Sequence, residues 1–135
     1  MVGKTYSEIK KEARVFYTKW RKTGSYCPAF KEKVLVTNRG WYHLVGKTGN
    51  KKRAFKDVHR RLALLPHAKT ILESAGTIQS IRTQNGRQYY ALDSMEPVTE
   101  DGATYLRKVR VIIFENKKGQ KVFYSVMDKR QAYSS

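Results

Sequence analysis

The chain is 135 residues long, 40% hydrophobic and 12% aromatic, which suffices for one packed core and not for two. Its 28 Lys and Arg against 11 Asp and Glu leave a formal net charge of +17, a self-repulsion that points to a polyanionic partner, nucleic acid before an anionic membrane surface. No apolar run approaches the roughly 20 residues of a membrane span, the N-terminus lacks the apolar centre of a signal peptide, and a single cysteine, Cys27, excludes an intrachain disulfide or a cysteine-based zinc site.

In chain order, TYSEIKKEARVFYTKWRK places Tyr6, Ile9, Ala13, Phe16 and Trp20 at alternating three- and four-residue steps. Thr5 and Glu8 match a capping box, and Lys and Arg crowd the far end, so a first helix is expected there. Gly24 and Cys27-Pro28 break it, giving an N-terminal helical segment over 1–28. KVLVTNRGWYHLV then reads as two short β segments around Asn38-Arg39-Gly40, either a tight hairpin or one bulged strand, with Trp41, His43 and Val45 on one strand face. Further on, AFKDVHRRLALLPHAKTILES carries Phe55, Val58, Leu62 and Leu65 on one helical face, and Pro66 either kinks the helix or starts a second one.

After Gly76 the period changes to two. TIQSIRT and RQYYALD flank Asn85-Gly86, a strong hairpin signal. A Glu-, Pro-, Asp- and Gly-rich loop is expected over 94–103, followed by two long strands, YLRKVRVIIFE and QKVFYSVMD. In the last strand alternation puts Phe123, Ser125 and Met127 on one face and Val122, Tyr124 and Val126 on the other. The fold class is α+β: N-terminal helices packed against one face of a twisted antiparallel sheet of about four to five strands, in one domain.

Two features compete for the phosphate chemistry. Gly46-Lys47-Thr48 suggests the end of a nucleotide-binding loop, but that motif needs its first glycine at position 41, where Trp41 stands and Gly40 is one residue early. The alternative is His43, whose ordinary pKa suits proton transfer, beside the basic turn formed by Lys47, Lys51, Lys52 and Arg53. His59, Arg60 and Arg61 follow in mid-helix, where a solvated face is as good a reading as function. His67 follows Pro66 at a helix start and suits a structural role. Tyr89 and Tyr90 face opposite ways, one for the core and one for a base or phosphate, and Ser125 is either a core hydroxyl or a phosphate contact. The few scattered carboxylates lack the clustered acidic ligands of a magnesium site, so no metal and no cofactor is expected.

VLVTNRGWYHL, HRRLALLPHAKTILE, NGRQYYAL and VRVIIFENKKGQKVFYSVM together resemble the phage- and mobile-element-associated nucleases of the barnase, EndoU, colicin and RelE-like fold. The resemblance covers about Lys33 to Lys129, making 33–129 a nuclease-like core. It implies a metal-independent, toxin-like endoribonuclease acting on RNA, such as tRNA or another structured RNA. On this resemblance His43, Arg60 or Arg61, and Ser125 occupy catalytic places; with Tyr90 added from the strand reading, these are the candidate catalytic residues, and Lys47, Lys51, Lys52, Arg53 and His59 are candidate RNA contacts. It also implies an acidic antitoxin or immunity protein, and a monomer that works in the cytoplasm or is delivered to a target cell. The alternative is a non-catalytic basic RNA- or DNA-binding protein, which needs the same electrostatics.

Overall fold

A computed structural model of the chain describes residues 5–46, 55–100 and 102–129. Four helices, α1 (Tyr6–Thr23), α2 (Asn38–Val45), α3 (Phe55–Ala63) and α4 (Leu65–Ser74), accompany six strands: β1 (Ser25–Cys27), β2 (Glu32–Leu35), β3 (Ser80–Gln84), β4 (Arg87–Glu100), β5 (Ala103–Glu115) and β6 (Lys121–Lys129). The strands form one sheet in the order β1-β2-β6-β5-β4-β3. The α+β class holds, with two differences from expectation: the sheet has a sixth strand, and β2 runs parallel to β6 through only Val34↔Lys121 and Leu35↔Val122. No helix among the described residues is long and apolar enough to cross a membrane.

The first helix forms as its capping box dictates, with Thr5 Oγ1 accepting from Glu8 N at 3.2 Å. It buries Ala13, Tyr17 and Trp20, which share one face by their four- and three-residue spacing. Tyr17 and Trp20 meet Phe123 of β6 at ring-centroid distances of 6.2 and 5.0 Å. The Trp20 indole donates to Ser25 Oγ at 2.8 Å, and Ser25 in turn donates to Glu73 of α4 at 2.8 Å. Together these contacts fasten α1, β1, α4 and β6 into one core.

Residues 38–45 are helical, where a strand was expected. Thr37 caps α2 by accepting from Arg39 N, and Gly46 ends it in the left-handed conformation at φ 77°. Alternation of Trp41, His43 and Val45 suggested a strand, yet Trp41, Leu44 and Val45 equally satisfy helical spacing. In an eight-residue segment the two periods cannot be separated locally, and the buried trio Gly40, Trp41 and Leu44 shows which one packing selected.

Pro66 starts a second helix, α4, after a break at Leu64. The Asn85-Gly86 turn forms as expected, with φ of 51° and 74°, the pair of positive values a two-residue hairpin requires. The segment expected as a loop over 94–103 instead continues the hairpin, from Ser94↔Val109 to Glu100↔Ala103. Pro97 is tolerated there because β3 pairs with β4 only as far as Ala91, so the outer edge of β4 is open beyond it. In β6 the register skips Tyr124: Ile113 pairs with Phe123 and Ile112 with Ser125. This bulge corrects the simple alternation and turns both Phe123 and Val126 to the core, each fully buried.

Gly40 is required by close approach, since a Cβ there would lie 2.5 Å from the Tyr17 hydroxyl and 3.0 Å from both the Phe123 ring and its carbonyl. Gly40→Ala is therefore expected to lower stability by about 2 kcal/mol, read by urea denaturation. Tyr17 donates to the carbonyl of Thr37 at 2.5 Å, and burial pushes its phenol well above the ordinary range. A raised folded-state pKa contributes stability that is fully present below about pH 10 and is lost as pH rises above it, because the unfolded chain gives up the proton first. Tyr17→Phe should flatten this alkaline fall in melting temperature. An unchanged pH profile would show that the phenol is not held neutral by the fold.

Candidate nucleic-acid interface

Strand alternation assigns the two sheet faces. Tyr90, Leu92, Val111, Ile113, Phe123 and Val126 belong to the core shared with the helices. Tyr89, Phe114 and Arg82 lie on the opposite face, joined by the cross-strand pairs Arg82↔Tyr89 and Tyr89↔Phe114. Tyr124, two residues beyond Val122, which pairs with Phe114, joins this group, 5.5 Å from the Tyr89 ring and 5.6 Å from Phe114.

From the last turn of α2, His43 stacks on Tyr124 with ring centroids 4.0 Å apart and planes inclined by 26°. Arg39, one helical turn earlier, lies over Phe114 at 5.2 Å, and Arg87 at the start of β4 lies over it at 4.8 Å. Phe114 is thereby buried, while His43, Tyr89, Tyr124 and Arg87 stay partly exposed and Arg39 is exposed. A guanidinium stacked on a ring uses its face and carries its N–H donors in its plane, the geometry that serves phosphate oxygens. Half-exposed aromatic faces beside such cations can accept a nucleobase. This surface thus offers the two contacts a nucleic-acid strand makes, with an imidazole among them.

The other expected residues occupy different surroundings. Arg61, mostly buried, donates through Nη1 to Ser125 Oγ at 2.8 Å and to the Val126 carbonyl at 3.4 Å, while its Nε pairs with Asp57 at 3.0 Å. It covers a stretch of β6 beyond the short β2 pairing, where a strand carbonyl needs a donor. Ser125 is buried at 1% exposure, so the pair lies inside the protein. Arg60 lies 3.0 Å from Asp128, off the hydrogen-bond line, and Arg107 approaches the other oxygen at 3.7 Å. His59 faces the Tyr6 ring at 6.3 Å, on the α1 side. His67 contacts Glu96 at 3.1 Å, a tie between α4 and β4.

Tyr90 points to the core face and is separated from His43 by the sheet. Its hydroxyl lies 2.9 Å from both Gln88 and Glu115, and burial, reinforced by the Glu115 carboxylate, raises its pKa. Of the two adjacent tyrosines, Tyr89 is the one beside His43's stack. Lys47, Lys51, Lys52 and Arg53 lie outside the described residues. Among the described residues, no three His, Cys, Asp or Glu gather into a possible metal site.

Sequence reasoning did not single out Arg39, Arg87, Phe114 or Tyr124. Alternation across the Asn85-Gly86 hairpin could have put Arg82 beside Tyr89, but Phe114 and Tyr124 join them only through the sheet order. No protein-family model, curated protein or solved structure matches this chain.

The contrast between the two arginine settings is testable. Arg61→Met should cost about 1–3 kcal/mol of stability by urea denaturation, because it strips a buried hydroxyl and carbonyl of their donor. Arg87→Ala, at a half-exposed position, should cost under about 1 kcal/mol. Equal losses would mean that Arg61 is not the structural member of the pair.

Proposed function

We propose that this chain is an endoribonuclease that binds RNA across the sheet face turned away from the helical core and cleaves it without a metal ion. The observation that carries the reading is the stack of His43 on Tyr124 within a patch walled by Tyr89, Phe114, Arg39 and Arg87. Stacking engages the face of the imidazole, whereas proton transfer uses nitrogens in its plane, so one ring can be oriented by Tyr124 and still exchange a proton.

In the proposed reaction the ribose 2′-oxygen gives up its proton and attacks the adjacent phosphorus. The bond to the 5′-oxygen breaks, that oxygen takes up a proton, and a 2′,3′-cyclic phosphate remains. His43 carries one of the two proton transfers. Arg39 and Arg87 stabilise charge on the phosphate, and Tyr89 and Tyr124 hold a base by stacking. Arg61 and Ser125 act behind this surface by holding β6, the strand that presents Tyr124. The toxin-like role extends the same proposal: an acidic inhibitor would find a strongly basic partner and associate rapidly.

A second reading, a binder without chemistry, is favoured by a specific observation. Arg60, Arg61, Tyr90 and Ser125 all make internal contacts that serve the fold. The two readings differ in their products. Wild type incubated with end-labelled tRNA in EDTA should generate fragments ending in 2′,3′-cyclic phosphate, and a single 2′-deoxy substitution at the scissile nucleotide should block that cut. His43→Ala should slow cleavage by about 10²- to 10⁴-fold, and Tyr89→Ala should weaken binding by about 1–3 kcal/mol. RNA retarded in a gel with no new termini would establish the binder instead, and cleavage at full rate by folded His43→Ala would remove the imidazole from the mechanism.

A further inference from the structure

The outer side of α1 forms an open groove of about 900 Å³ whose described lining includes Lys10, Lys11, Arg14, Lys19, Lys22 and Trp41, with no Asp or Glu among its described residues. This groove does not include His43. Lys11, Lys19 and Lys22 stand on the side of α1 opposite the buried Ala13, Tyr17 and Trp20, whereas Lys10 lies over the Tyr6 ring at 6.0 Å on the flank. Lys11, Arg14, Lys19 and Lys22 are exposed, and Lys11 and Lys22 are separated by three helical turns, about 16 Å. Val15 between them is 53% exposed, and Arg14 lies over the ring of the buried Trp41 at 4.8 Å.

The groove adjoins the His43 surface through α2. Trp41 and His43 are two residues apart, about 200° around the helix axis, and α2 turns one toward α1 and the other toward Tyr124. The two surfaces thus lie on opposite sides of α2, a helix width of about 10 Å apart, so an RNA that reaches both must pass around α2.

We infer that the α1 groove is a second RNA-binding surface, which holds the phosphate backbone of the same strand some nucleotides away from the site at His43. Roughly one cation per helical turn is a spacing that tracks successive phosphates, and it carries no base readout, so this surface adds affinity for long RNA and not sequence preference. The inference rests on the RNA reading of the His43 surface and extends it to a substrate class: RNA long enough to span both surfaces.

The test uses the full chain and two RNAs that carry 2′-O-methyl groups throughout and so resist cleavage, one of about 30 nucleotides and one tetranucleotide, a length within one single-strand site. Binding is read by fluorescence anisotropy across a salt series. Lys11→Gln/Lys19→Gln/Lys22→Gln should bind the long RNA about 10- to 50-fold more weakly, with a salt slope shallower by about 2, and bind the tetranucleotide within about two-fold of wild type. The charge-preserving Lys→Arg version of the same triple should behave as wild type, and thermal melting verifies that both variants are folded. Unchanged long-RNA affinity in the Gln triple, or an equal loss for the tetranucleotide, overturns the groove as a separate surface. Loss in the Arg triple also overturns it, because charge would not be the cause. Wild type that binds neither RNA defeats the function reading itself, whereas wild type that binds the tetranucleotide as tightly as the long RNA defeats only the groove.

Discussion

The absence of a side chain at Gly40 lets α2 lie against β6. Tyr17 and Phe123 occupy the space that a Cβ would enter, and the Tyr17 hydroxyl closes the joint by donating to the carbonyl of Thr37, the residue that caps α2. The direction of α2 follows from this contact, and with it the position of His43 one turn later. The same aromatic group of Tyr17, Trp20 and Phe123 joins α1 to the sheet. One packing joint between an N-terminal helix and the last strand thus sets where the imidazole meets Tyr124.

The bulge in β6 is the second constraint. An uninterrupted strand would keep Val126 on the side of Tyr124, but the skipped residue reverses the alternation beyond Tyr124, so that Val126 joins Phe123 in the core while Tyr124 stays on the outer surface. Bulges often re-aim side chains in this way near functional surfaces. Arg61 supports the altered strand from behind through Ser125 and the Val126 carbonyl. Its guanidinium is used for structure, which is why the phosphate role in the proposed mechanism moves to Arg39 and Arg87.

Charge acts at both surfaces differently. On the sheet face, the guanidinium groups of Arg39 and Arg87 lie over one aromatic ring, that of Phe114. On α1 the lysines project from an otherwise well-formed helix whose packing uses only its other side.

Several elements were legible in the sequence because their signals are local. The capping box and stripe of α1, the break at Pro66, the Asn85-Gly86 hairpin and the β5–β6 pair all follow from backbone preference and periodicity within a few residues, as does the basic character that calls for a polyanion. His43 was singled out by residue type, but its element was misread, since eight residues support both a helical and a strand period and only burial against Tyr17 and Phe123 chooses between them. The loop expected over 94–103 became strand because cross-strand pairing with β5 outweighs composition. Beyond its own helix, the company His43 keeps was decided by tertiary structure alone: Arg87, Phe114 and Tyr124 come from three separate strands, and their meeting depends on strand order, which leaves no mark in local sequence.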